Sequence, residues 1–149
     1  LIRLRKKVFY WRKKRMVKAK FTKKIEKGKY IQYREIAKQF LCTMTDAHTS
    51  NRWNAVGLNG VHASISITDS ILANYKGIRS SDSNHIVAAD LLVQVFPNEE
   101  GKKQKKRLEE ILRLKNVVSY EGREFTKKEA DKLTLSVTRF FDWAEKKVT

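Results

Sequence analysis

From residue 30 onward the apolar positions recur at intervals of three and four with almost no alternation, which predicts helices rather than strands. Tyr33, Ile36, Ala37, Phe40, Leu41 and Met44 give one apolar face running to about His48. Asn51 reads as an N-cap opening a long segment through Tyr75 that Gly77 closes. That segment carries no charge from Trp53 to Thr68 and is apolar or small on most faces, the pattern of a helix at the centre of a bundle. Within it, Gly57, Gly60 and Ser64 form a stripe of small residues that lets a neighbouring backbone come close. Asp82 or a nearby serine is expected to cap a third helix, with Ala89, Val93 and Phe96 inward and Pro97 as its stop. Leu108, Ile111, Leu112 and Lys115 mark a short fourth helix, while Val117, Val118 and Tyr120, then Gly122, read as an extended link or small hairpin. Thr126 and Glu129 have the spacing of a capping box, and Ala130, Leu133, Val137, Phe140 and Ala144 continue at three and four. The expected fold is all-α: an up-and-down bundle of about five helices over residues 30–149.

Charge adds a second feature. The 149 residues hold 33 Lys and Arg against 16 Asp and Glu, a net +17. Residues 1–29 carry 14 of the basic residues and one acid, Glu26, so this stretch reads as a basic N-terminal extension. Such a segment attracts RNA, DNA or an anionic surface, or is simply a solvated tail. Leu1, Leu4, Val8 and Trp11 fall at helical spacing, which allows a basic amphipathic helix. The first methionine is Met16, and residues 1–15 are expected to be foreign to the native chain or disordered, and dispensable for the fold. A second basic cluster, Lys102, Lys103, Lys105, Lys106 and Arg107, is a candidate nucleic-acid contact.

Other classes of chemistry find little support. No apolar run exceeds four residues, so no membrane span is expected. The single cysteine, Cys42, excludes an intrachain disulfide and a cysteine-built zinc site. It lies beside the apolar stripe of its helix and reads as a core thiol. No metal site or cofactor is implied. The cysteine usage leans toward the reducing cytosol, hence a cytoplasmic location. Phosphate-loop, dinucleotide, zinc-protease and nucleophile-elbow motifs are absent from the sequence, and Trp53, Trp143 and most phenylalanines sit on core faces.

The chemistry that remains lies between the central helix and the next one, in Gly77-Ile78-Arg79-Ser80-Ser81-Asp82-Ser83-Asn84-His85. A helix start offers unpaired N–H groups and the positive dipole end to a phosphate. Arg79 brings a planar fork suited to phosphate oxygens. His85 can exchange a proton near neutral pH, and the helix start disfavours its charged form. These are the parts needed to cleave a phosphodiester without a metal; a capped loop with a salt bridge is the plainer reading. On the central helix, Asn59, His62, Ser66 and Asp69 make a polar stripe, in which Asp69 is expected to orient Arg79. His62 reads as internally satisfied, and His48 as a helix-end charge.

A small-residue-rich helix running into Gly-Ile-Arg-Ser, then Asn-His and Ala-Ala-Asp-Leu-Leu, resembles the HEPN superfamily (higher-eukaryote and prokaryote nucleotide-binding domains), marked by R-x(4–6)-H. Arg79 to His85 is R-x5-H, and Tyr120-Glu121-Gly122, Thr126 and Phe140-Phe141-Asp142-Trp143-Ala144 look like the last helix of such domains. The resemblance covers roughly residues 30–149. It implies a homodimer whose Arg79/His85 pairs meet across the interface, and in catalytic members a metal-independent endoribonuclease of toxin or defence type. The implied reaction is attack of the RNA 2′-OH on the adjacent phosphate, leaving a cyclic phosphate and a 5′-OH, with His85 as general acid or base and Arg79 on the phosphate. Asp69, Ser80 and Asp82 would be auxiliary. In many active members Asn, Asp or His directly follows the arginine; here it is Ser80. That departure favours the alternative, a non-catalytic module that binds a nucleotide or pairs with a nucleotidyltransferase-type protein or antitoxin.

Overall fold

The computed structural model describes residues 21–81 and 85–149. The expected helix at Leu1 to Trp11 and the expected cap at Asp82 lie outside the described residues. Five helices build the body: α1 (Tyr30–Thr49), α2 (Trp53–Lys76), α3 (Ile86–Val95), α4 (Glu99–Tyr120) and α5 (Lys127–Glu145). A two-stranded ladder is added by β1 (Thr22–Lys24) and β2 (Ile78–Ser80), with a 3-10 turn at Lys27–Lys29 between β1 and α1. The protein is thus an all-α helical bundle with one small sheet. No helix among the described residues is long and apolar enough to cross a membrane.

α2 is the central element, packed by α1, α3, α4 and α5. Most of its length is buried, from Val56 to Ala73 with few breaks. Its small residues set the packing distance. A Cβ at Gly57 would collide with Val118 of α4, and one at Gly60 would stand 3.0 Å from the Met44 sulfur of α1 and 3.2 Å from Val137 of α5. Because its own chain covers α2, the apolar character of this helix requires no second subunit. Thr126 and Glu129 form the expected capping box at the start of α5, which buries Ala130, Leu133, Val137, Phe140, Phe141 and Ala144.

Four expectations are corrected. Asn51 does not cap α2: its φ of 56° puts it in the left-handed region between α1 and α2, and Arg52 holds the cap position. Asparagine tolerates both roles, because its short amide can satisfy the backbone locally in either. Val117 and Val118 are the end of a 22-residue α4 rather than a link, and pack on the main core. Their β-branched character is overridden by the cleft that Gly57 leaves open. Cys42 is exposed. The buried stripe of α1 is narrow (Ala37, Met44, Ala47), and Cys42 stands about 200° round the helix from Met44. Finally, the N-terminal extension does not end at residue 29, because β1 is hydrogen-bonded into the fold.

Candidate functional site

α2 ends where Gly77 takes φ 62°, a left-handed conformation that glycine adopts without steric cost, and its N–H donates to Ala73 O at 2.9 Å. That turn redirects the chain into β2, which pairs antiparallel with β1 in the register Thr22↔Ser80, Lys23↔Arg79 and Lys24↔Ile78. The ladder is extended at both ends by main-chain bonds, Ile25 N to Gly77 O (3.0 Å) and Ser81 N to Phe21 O (2.8 Å). Side chains alternate along a strand. Ile78 accordingly packs inward on Leu72, Ala88 and Leu91, and Ser80 is fully buried on the same side. Arg79 and Lys23 take the other face. The small apolar cluster therefore clamps the end of α2, β2 and α3 together and fixes the residues that each supplies.

At this junction three polar side chains form a chain. Asp69, on α2 and only 4% exposed, accepts the backbone N–H and the hydroxyl of Ser80 on the same oxygen, Oδ1, both at 2.8 Å. Ser80 Oγ lies 3.0 Å from Nδ1 of His85. A buried carboxylate needs donors, and Ser80 supplies two. The proton count then fixes the histidine tautomer. The hydroxyl has one proton, and with an ionised Asp69 it must lie toward Oδ1, or two acceptors would face each other. With Asp69 ionised, His85 Nδ1–H is then the donor to Ser80, which leaves Nε2 as the ring nitrogen able to exchange a proton. His85 holds the N-cap position of α3 without a side-chain capping bond. Its ring is turned to Ser80.

Arg79 is half-buried and its guanidinium donates to Ser80 O at 3.0 Å. The structure thus gathers Asp69, Arg79, Ser80 and His85 at one junction; Asp82 lies outside the described residues. Asp69 bonds Ser80, the neighbour of Arg79. Sequence reasoning weighed Ser80 as a substitution for a better residue, and missed that a serine buried beside an aspartate can hold a histidine. The adjacency of Arg79 and Ser80 gave no signal of it, since only the fold shows which of the two faces inward.

The remaining candidates lie elsewhere. The basic cluster sits on the first turns of α4, where two of its five cations, Lys102 and Lys105, are paired with acids. Lys102 pairs with Glu99 (3.3 Å), Lys105 with Asp90 of α3 (3.0 Å) and Glu109 (3.6 Å), and Arg107 donates to Gln104 (3.0 Å). The Asp90 hydrogen bond holds the Lys105 ammonium above its ordinary range. Lys103 and Lys106 are exposed. His62 stacks on Phe40 with centroids 5.2 Å apart, and burial, then Lys115, lowers its pKa. His48 bonds Asp131 of α5 at 2.6 Å and meets the Trp53 edge, a helix–helix tie rather than a free helix-end charge. Among the described residues no group of three or more His, Cys, Asp or Glu is placed to hold a metal ion. Comparison of the chain with known protein families, curated proteins and solved structures gives no match.

Proposed function

We propose that Asp69, Arg79, Ser80 and His85 form an RNA-cleaving site of HEPN type, working through general acid–base chemistry in a homodimer. The observation that carries this reading is the Asp69–Ser80–His85 chain. It gives the histidine a defined tautomer with Nε2 as its base, which is the role a hydrolytic imidazole must fill. Ser80, the departure from the usual polar partner, then does that partner's work from a buried position.

In the proposed reaction the RNA 2′-oxygen attacks the neighbouring phosphorus. Its proton passes to His85 Nε2, the new P–O2′ bond forms and the P–O5′ bond breaks. The departing 5′-oxygen takes a proton from a second imidazolium, which the twofold arrangement implied by the resemblance supplies. Arg79 spreads its fork over the phosphate oxygens as their charge grows. The test is incubation of the purified protein with single-stranded RNA in EDTA, with analysis of the product ends. Cyclic-phosphate and 5′-OH termini are expected, with DNA intact for want of the 2′-OH. RNA or nucleotide that is bound but uncut would instead assign the non-catalytic module.

A further inference from the structure

The cross-strand register sets Lys23 directly opposite Arg79. Residues so placed have Cβ atoms about 5 Å apart on one face, and like charges there repel. Lys23, Lys24, Lys27, Lys29 and Lys76 are all exposed and, among the described residues, form no ion pair, not even with Glu26 in their midst. Lys27 reaches the Gly77 turn, its Cγ 3.6 Å from where a Cβ would stand, so these cations border the strand that carries Arg79. On α4, by comparison, Lys102 and Lys105 are paired with Glu99, Asp90 and Glu109. The β1 sequence Thr-Lys-Lys has little apolar content with which to hold a strand, yet main-chain bonds flank it on both sides. A further run of ten basic residues and no acid, residues 1–20, is joined to the fold at Phe21, whose carbonyl bonds Ser81 between Ser80 and His85.

We propose that β1 is a phosphate-binding strand of the site: Lys23 holds the backbone of a single-stranded RNA beside the phosphate on Arg79, and Lys27 and Lys29 continue the track. This rests on the RNA-cleaving reading for its ligand class. β1 and the turn at Lys27–Lys29 are then part of the substrate site.

The experiment measures RNA affinity in the His85→Ala protein, so that binding is read without cleavage. Anisotropy of a labelled single-stranded RNA of about 20 nucleotides is followed across a salt series. Lys23→Ala is expected to weaken binding severalfold at low salt and lower the slope of log K against log salt by about 0.7, one phosphate contact on a single strand. The triple Lys23, Lys27 and Lys29 to Ala variant should lower it by about 2. Lys128→Ala removes an equal charge at the other end of the bundle, where Asn54 at the start of α2 accepts from Phe125 N, and should change affinity less than twofold. Unchanged affinity and slope in Lys23→Ala, or an equal loss in Lys128→Ala, would overturn the proposal. Lys23-dependent binding without any cleavage by the unmutated protein would uphold the strand and overturn only the ribonuclease reading. Cleavage indifferent to Lys23 would do the reverse.

Discussion

Ser80 holds His85 by a 3.0 Å contact between its buried hydroxyl and the ring Nδ1, and the same hydroxyl is committed to Asp69 at 2.8 Å. One serine thereby connects the core of α2 to the first residue of the α3 start. The backbone N–H of Ser80 bonds the same carboxylate oxygen, so the side chain and main chain are fixed together. A histidine anchored in this way keeps one ring orientation and one tautomer, the condition for a general base that is ready before substrate arrives.

Ser80→Ala is expected to lower the turnover number about tenfold to a hundredfold, the usual effect of removing a partner that orients an imidazole. KM should move little, because Arg79 and the cations of β1 are untouched. The pH profile is the discriminating readout: without Ser80 the ring samples both tautomers, and the midpoint of the acidic limb, where the general base takes up its proton, should shift. A variant with unchanged turnover and pH profile would show that the contact is only packing.

Gly57→Ala should destabilise the fold although alanine is the better helix former. The Cβ collides with Val118, and overpacking costs about 1–3 kcal/mol against about 1 kcal/mol of gained helix propensity. Gly60→Ala meets the flexible Met44 sulfur at 3.0 Å and should cost less. Urea titration of both variants, compared at constant m-value, measures the order.

Acid should loosen the start of α5 in a defined window. Hydrogen bonds from Arg123, then from the Thr126 backbone, hold the Glu129 pKa down to about 2. A carboxyl depressed in the folded state contributes stability that is complete above its unfolded pKa, about 4.3, and is lost as pH falls toward 2. Thermal melts of the parent and Glu129→Gln proteins should therefore differ at pH 7 and converge by about pH 2. A gap that persists at low pH would mean that Glu129 acts through contacts indifferent to its charge.

Much of the bundle was readable in the sequence because its signals are local. Gly77 ends α2 and Thr126 with Glu129 opens α5, each by chemistry confined to a few residues. The central position of α2 followed from an uncharged stretch that no surface helix would carry. The losses were of another kind. Val117 and Val118 are helical because Gly57, far along the chain, leaves room for them. β1 has three residues and no alternation to detect, and its partner is the strand after α2. Of the site, Arg79 and His85 could be named from their spacing and their place between two helices. The work of Ser80 could not, since it depends on which face of a short strand looks toward Asp69.

We propose that His85, set by Ser80 and Asp69, cleaves RNA with Arg79 by acid–base chemistry. It is tested most directly by the rate at which the purified protein, His85→Ala and Arg79→Lys cut single-stranded RNA in EDTA. The unmutated protein should leave cyclic-phosphate ends. His85→Ala should lose about a hundredfold to ten-thousandfold with its fold intact, and Arg79→Lys should be severely impaired, because an ammonium cannot grip a phosphate with two parallel bonds. Cleavage that survives His85→Ala, or that appears only when a metal is added, would contradict the account.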